Sequence, residues 1–405
     1  MTIWIPIYLA FLELMAKSDP LRVAVIGAGP VGIEAALYAK ALGYATTLYE
    51  RGEVGEHLSR WGHVRLFTSF GMNSTPLGIE SIRREHPQHQ LPGPNDLLTG
   101  IEFRDSYLAP LSLTSALCES IEMKSEVLHI GRANVFKTDP ANDPKRASSP
   151  FRLLVRDDKQ QERMEEAEVI LDCSGTYACH RWLGEGGIPA LGELAASKQI
   201  AYGLEDIVGK RKAHYAGKSI IVLGGGYSAA TTICSLATLA EQYPSTWIVW
   251  LTRGARTTPL PRQSADPLRE RDRLAARANQ LATRGEGHVE YHPQTAIEAI
   301  VSHGPEKGFR VVGRSAGQEM VWEVERVVAN VGSLPDLSIC RELHVLEPDG
   351  KNGVRQPEPN YFLLGAKGAG RDGHFLLRNG FDQIREVFAQ IAGKPRLDLY
   401  KPLAA

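Results

Sequence analysis

Two α/β units of one design, each a parallel sheet fed by helical crossovers, are what this sequence of 405 residues predicts. Three observations carry the prediction. Apolar, strand-like runs end in glycine-rich turns at two places, "VAVIGAGPVG" (23–32) and "IIVLGGGYSA" (220–229). Each turn leads into a helix-length run of small and apolar residues and then into a second strand. Each unit then continues through short strands and closes on an apolar run that ends in glycine beside a hydroxyl residue, at 167–176 and 324–333. The architecture repeats, whereas the residue identities do not.

The elements follow in order. "RVAVI" (22–26) predicts a strand, 31–43 a helix ending at Gly43, and "ATTLYE" (45–50) the next strand, together a βαβ unit. Residues 55–110 are rich in Gly, Pro, His and aromatics and read as irregular. A connection of that length in such a fold lines a site more often than it merely connects. "EVLHI" (126–130) and "FRLLV" (151–155) are strands separated by a polar stretch. The second unit reads as strand 218–223, helix 227–242, a break at Pro244 and strand 246–251. A polar helix, then strands at 288–292, 296–302 and 309–313, completes it. A further strand at 361 and a helix over 374–393 follow, with Leu377, Phe381, Ile384, Phe388 and Ile391 on one face. A strand and helix added after a complete second unit point back to the first.

Composition removes several classes of function. The formal net charge of -1 and the absence of a basic stripe give no footprint for nucleic acid. The five cysteines form no C-x-x-C pair, so neither a zinc site nor a thioredoxin-type dithiol is supported, no metal is expected, and buried reduced thiols of a cytoplasmic protein are the expectation. The apolar run at 2–16 is shorter than the roughly 20 residues of a spanning helix. No Lys or Arg precedes it, as a signal peptide requires. An extension that packs on the protein or is poorly ordered is the expectation for residues 1–20, with a shallow membrane contact as the alternative.

The two turns carry the chemistry. Gly27, Gly29 and Gly32 satisfy G-x-G-x-x-G after a strand and before a helix, with Glu50 closing the second strand. Gly27 makes the tight turn, Gly29 admits a pyrophosphate to the backbone, and Gly32 lets helix and strand approach. The helix N-terminus, opened by Pro30, offers free N–H groups to the anion, and Glu50 accepts from ribose hydroxyls. The second turn, Gly224, Gly226, Tyr227, Ser228 and Ala229, is the G-x-G-x-x-A variant. No acid closes its second strand; Thr252, Arg253 and Arg256 stand there, the residue types that suit a 2′-phosphate and so NADP.

With these residues in view, the chain resembles, over about residues 21–395, the flavoproteins with two dinucleotide-binding domains, the superfamily of thioredoxin reductases and flavin-containing monooxygenases. The resemblance implies two Rossmann-like, three-layer domains, with the NADP domain inserted into the FAD domain. The expected boundaries are 21–177 and 335–405 for FAD and 178–334 for NADPH. FAD at the first turn and NADPH at the second are the implied cofactors, with Arg51 beside Glu50 in the first site. "DCSGT" (172–176), with Ser174 and Gly175, stands where these families carry a Thr-Gly linker motif. "GAKGAGRDGHF" (365–375) stands where the last FAD motif lies. There the sequence departs from the pattern: relatives have Gly-Asp, the Asp holding the flavin ribityl chain, and here Gly365 is followed by Ala366. Lys367, Asp372 or backbone groups are the candidates to compensate.

The resemblance also sorts the chemistry. Disulfide reductases need a redox thiol, but 51–67 contains no Cys and Val31 stands where bacillithiol-disulfide-reductase-like proteins carry one. Cys173 and Cys179 remain, spaced C-x5-C. A flavin monooxygenase asks less of side chains: NADPH reduces the flavin, oxygen adds, and the protein keeps water out. Residues 60–78 resemble the corresponding part of that group, and Trp61, Arg65, Phe67, Ser69 and Asn73 are candidates to roof the isoalloxazine. The F-x-G-x-x-x-H-S signature of its typical members is missing. The leading expectation is an NADPH-dependent FAD monooxygenase of a small molecule. A non-oxygenating NADPH:acceptor reductase, with a quinone, thiol or protein as acceptor, is the runner-up, and a nucleotide-bound sensor without turnover is the third reading. His86 and His89 read as solvated loop residues.

Overall fold

The computed structural model describes residues 19–262, 266–284, 288–348 and 354–401. The apolar run at 2–16 lies outside them. Among the described residues no helix is long and apolar enough to cross a membrane.

The first sheet starts with β1 (Arg22–Ile26), which runs through the glycine turn into α1 (Pro30–Ala41) and returns as β2 (Ala45–Glu50). Gly43, with φ of 81°, permits the tight turn after α1. A third strand, β3 (Ile121–Met123), pairs with β2, and β7 (Val169–Asp172) pairs with the other side of β1. Between them β4 (Glu126–Arg132), β5 (Phe151–Arg156) and β6 (Glu162–Ala167) form an antiparallel meander.

The second unit repeats this plan. β8 (Ala201–Tyr202) is the edge of a parallel sheet ordered β11-β10-β9-β15-β8. Its other members are β9 (Ser219–Leu223), β10 (Trp247–Leu251), β11 (Val289–His292) and β15 (Arg326–Ala329). A second meander, β12 (Thr295–Ser302), β13 (Phe309–Ser315) and β14 (Gln318–Val324), covers one face. The last strand, β16 (Tyr361–Leu363), then pairs in parallel with β7, so the first sheet reads β16-β7-β1-β2-β3. The second unit is thus inserted into the first, as the sequence predicts.

Strand periodicity explains why the central strands β1 and β9 carry apolar residues at successive positions. Val23 and Val25 enter a core with α1 and the C-terminal helix (Leu377–Ile391), while Ala24 and Ile26 enter a different core against the β4–β6 meander. Ile220 and Val222 likewise face the helices 227–242 and 269–284, and Ile221 and Leu223 face the β12–β14 meander. Each unit is therefore three layers deep, helices on a parallel sheet on a meander, with both sheet faces buried.

Residues 55–110 are more regular than their composition suggests. They hold α2 (Pro76–Glu85) and helical turns at Glu56–Arg60, Phe70–Asn73, Gly100–Phe103 and Ala109–Ser112. Thr75 caps α2 by accepting from the Gly78 N–H at 3.0 Å, with Pro76 at the first helical position. Thr99 and Glu102 form a capping box.

Near the return to β16, Glu358 is buried between two arginines. Arg132 Nε lies 2.6 Å and Arg146 Nη1 2.9 Å from its two oxygens, with all three side chains shielded from solvent. The cluster fastens the 132–149 excursion to the segment that leads into the last strand.

Candidate cofactor site

The carboxyl ends of β1, β2, β7 and β16 surround a cleft of about 690 Å³. That volume lies in the upper part of the range small-ligand sites occupy. Gly27, Gly29 and Pro30 form its floor, Glu50 and Arg51 one end, and Ser174, Gly175, Gly365 and Lys367 the other. Trp61 and Phe67 contribute from the long connection.

The three glycines of the first turn differ in their surroundings. Gly27 has φ of 95° and approaches β7 so closely that a Cβ would lie 3.0 Å from the Cys173 carbonyl oxygen. At Gly32 a Cβ would collide with the Gly27 carbonyl, so this position lies behind the turn and does not line the cleft. At Gly29, which caps α1, a Cβ would meet nothing within 4 Å. Gly175 is open in the same way, with φ of 71°. Gly29 at the α1 N-terminus and Gly175 in the loop after β7 leave bare backbone that forms a cradle fitting a dinucleotide diphosphate. Glu50 accepts from the Ala28 N–H at 2.7 Å and the Gly52 N–H at 2.8 Å. It thereby braces the turn and still has lone pairs for a ribose.

At the opposite end, Asp172 and Lys367 form a buried ion pair, Nζ to Oδ2 2.6 Å, with side chains 0% and 1% exposed. Tyr361 OH donates to the same oxygen at 2.9 Å, and Ser174 Oγ donates to Oδ1 at 2.7 Å. Lys367 also donates to Ser174 Oγ at 3.0 Å.

The structure does not bring every sequence candidate to this cleft. Arg65 and Ser69 do not line it. Arg65 is held in a bridge to Thr99, and Ser69 precedes the turn Phe70–Asn73. Asn73 is 1% exposed and exchanges hydrogen bonds with Thr68, a packing role. Asp372 is exposed, lies outside the cleft and accepts from the His374 N–H at 2.8 Å. His89 is tied to the Ser106 carbonyl at 2.8 Å and is not a free loop residue. Conversely, His57, Leu58, Leu66, Thr68, Tyr177 and Asp336 line the cleft without having been singled out by the sequence. Burial, with Arg60 and Arg51 nearby, pushes the His57 imidazole down to about 4, so it stands neutral beside Tyr177.

Both candidate thiols reach the cleft wall, but neither is primed. Burial drives the Cys173 thiol well above its usual value, and Asp172 adds to the effect. Burial and Asp336 raise Cys179 as well. A nucleophilic cysteine needs the opposite environment.

The second turn lies at the point where strand order reverses, between β9 and β15. Gly224 has φ of 140° and packs on the Asn330 carbonyl, and Ala229 is fully buried. Gly226 caps the helix Tyr227–Gln242, labelled α3, and a Cβ there would meet nothing within 4 Å. Ser228 stands in the first turn of α3. Arg253 and Arg256 are exposed past the end of β10, while Thr252 is buried and bonded to Tyr291 OH at 2.8 Å. Arg181 arrives from the other side, its N–H bonded to the Gly332 carbonyl at 3.0 Å. Burial, with Arg253 and Arg371 nearby, lowers the Arg181 guanidinium below its ordinary value. The Tyr227 ring meets Phe67 at 5.8 Å and His374 at 6.5 Å, which sets the second turn against the mouth of the first cleft.

With two such sites facing each other, the architecture is decided. The fold is that of the two-domain FAD/NAD(P) flavoproteins. Comparisons with known proteins agree. The family of pyridine nucleotide-disulphide oxidoreductases matches residues 22–55, the first βαβ unit and the start of the segment after it. No curated protein matches the sequence. A bacillithiol disulfide reductase from Bacillus cereus is similar in structure with a TM-score of 0.68, 16% identity, and coverage of 93% of this chain and 100% of its own. The FAD-bound cadaverine monooxygenase of desferrioxamine biosynthesis from Erwinia amylovora follows with a TM-score of 0.65, 14% identity, and 96% and 100% coverage. An ornithine N-hydroxylase from Kutzneria sp. 744, with reduced FAD, NADP+ and L-ornithine, has a TM-score of 0.61, 16% identity, and 92% and 99% coverage. Flavoproteins of both chemistries, reductive and oxygenating, thus share this fold.

Proposed function

We propose that this protein is an FAD-dependent, NADPH-using oxidoreductase, and that its reaction is the oxygenation of a small molecule. FAD would rest on Gly27, Gly29 and the α1 N-terminus, with Glu50 and Arg51 at its adenosine end and Ser174, Gly175 and Gly365 toward its flavin. NADPH would rest on Gly224, Gly226 and Ala229, with Arg253 and Arg256 on its 2′-phosphate. When bound, the flavin supplies the electron transfer. The chain's own residues bind, orient and exclude water.

The observation that carries the oxygenase reading is the lining of the cleft. Leu58, Trp61, Leu66, Phe67 and Phe375 make its wall largely apolar, the neutral His57 adds no charge, and the two thiols present are held protonated. An apolar, thiolate-free surround suits chemistry in which the protein must keep water away. The position of Cys173 and Cys179 on that wall supports the second reading, a non-oxygenating NADPH:acceptor reductase.

One experiment separates them. The FAD-loaded protein is reduced with NADPH without air, then exposed to oxygen in the presence of a panel of primary amines and other small nucleophiles. Substrate-dependent incorporation of one oxygen atom from labelled dioxygen is the expected result. Hydrogen peroxide in full yield under every substrate, together with rapid transfer to quinones or disulfides, would establish the reductase instead.

A further inference from the structure

We propose that Lys367, aimed by the Asp172–Ser174 pair, is the contact that holds the flavin-bearing end of the dinucleotide. The proposal rests on the reading of the first cleft as an FAD site. The sequence raised two side-chain candidates for the place where a carboxylate is missing, and the geometry chooses between them. Asp372 is outside the cleft and engaged by the His374 N–H, whereas Lys367 forms part of the cleft wall.

Hydrogen-bond accounting gives Lys367 its role. Asp172 receives four bonds, from Lys367 Nζ, Tyr361 OH, Ser174 Oγ and the Ser174 N–H at 3.2 Å. Both of its oxygens are occupied, and it does not line the cleft. The Ser174 hydroxyl gives its proton to Asp172 and accepts from Lys367. An ammonium has three protons, and these two bonds use two of them. The third belongs to a group that is 1% exposed on the wall of a ligand-sized cleft. Burying an ammonium with one donor idle is costly, and a ligand acceptor removes the cost.

Sheet order says which part of the ligand it meets. Glu50 ends β2, the cradle follows β1, and Lys367 lies four residues past β16 at the opposite edge of β7. A dinucleotide with its adenosine at Glu50 and its diphosphate on the cradle carries its flavin end toward Lys367. The contact is a donor where a carboxylate would be an acceptor, so its partner is a ribityl or flavin-side phosphate oxygen.

The test uses the full-length protein stripped of flavin. Lys367→Met alone would strand a buried carboxylate, so the informative variant is Lys367→Met with Asp172→Asn. It removes both charges, keeps the bonds that Ser174 donates and turns the one to Tyr361 round, the new amide N–H donating to the Tyr361 hydroxyl oxygen. Its circular dichroism and melting temperature are compared with the wild type, and binding of FAD, FMN and ADP is titrated. The expected result is a folded variant whose Kd for FAD and FMN rises about tenfold or more, with ADP affinity unchanged. Equal loss for ADP would show a merely structural role, and unchanged FAD and FMN affinity would overturn the inference alone. A wild-type protein that takes up no FAD overturns the reading of the cleft along with it. As a second measurement, the Lys367 Nζ resonance in nitrogen-15 spectra, assigned with Lys367→Arg, shifts when FAD is added to the wild type; a resonance that stays in place counts against the contact whatever the double variant does.

Discussion

Glu34 sits inside α1 with no exposure, its carboxyl bonded by Tyr107 OH and by Thr75 Oγ1 at 2.9 Å. Burial pushes it up to about 7, against the lowering effect of those bonds. An acid whose folded value exceeds its unfolded one stabilises the fold most below the unfolded value, about 4.5. That stability drains away as pH rises toward 7, by roughly 3 kcal/mol in all. Glu34→Gln keeps the hydrogen bonds without the titration, so its melting temperature, measured from pH 4.5 to 8, should fall less steeply with pH than that of the wild type. At the cradle, Gly29 has φ of -75° and open space around it, a conformation that valine adopts. Gly29→Val is therefore expected to fold normally and lose bound flavin, read as the FAD-to-protein ratio. On the proposed reading of the second site, Arg253→Ala should raise the KM for NADPH about tenfold or more and leave that for NADH nearly unchanged, since it would remove a charge-assisted bond to one phosphate. Gly27, Gly29 and Gly32 were legible in the sequence because the tight turn, the open cradle and the close helix approach fall at a fixed spacing between a strand and a helix. His57, Thr68 and Asp336 were not, because their place on the cleft wall comes from the path of a long connection. Arg65 and Ser69 show the same limit from the other side: adjacent to lining residues in sequence, they face elsewhere.

Strands of the parallel sheets were legible as short continuous apolar runs, and the C-terminal helix was legible because one side had to be apolar and the other did not. The C-terminal helix, α4 (Leu377–Ile391), buries Phe381, Ile384, Val387 and Phe388, three of them on the predicted face. Phe388 is fully buried and stacks on Tyr38 at 5.0 Å, joining the end of the chain to α1. Phe388→Ala should cost about 3–5 kcal/mol, measured by denaturant unfolding, because it leaves a cavity between the two helices. The connection 55–110 reads as irregular in sequence because, α2 apart, its helical pieces are too short for a hydrophobic period to register. The signals that did exist were local, Thr75-Pro76 and Thr99-x-x-Glu102, and both act at the first turn of a helix.

At the scale of the molecule, the repeated order of strand, turn, helix and meander was visible because both faces of each sheet are covered in the same way. The facing of the two sites was not visible, since it depends on contacts such as Tyr227 with Phe67 that join distant parts of the chain. The insertion makes a prediction of its own. Residues 178–334, produced alone, contain a complete sheet, its helices and its meander, and should unfold cooperatively. Residues 21–177 alone lack β16 and the helix after it and should not. Heat-capacity scans of the two fragments check both outcomes.

The hydrogen bond from Tyr361 to Asp172 joins residues 189 positions apart. On the ribosome, therefore, the first sheet stands with one long edge bare while the whole inserted unit is made. At ordinary rates of synthesis that interval lasts roughly 10–40 s. A nascent chain in this state exposes β7, apolar on both faces, to any neighbouring strand, and chaperone occupancy during that window would govern how much of the product matures.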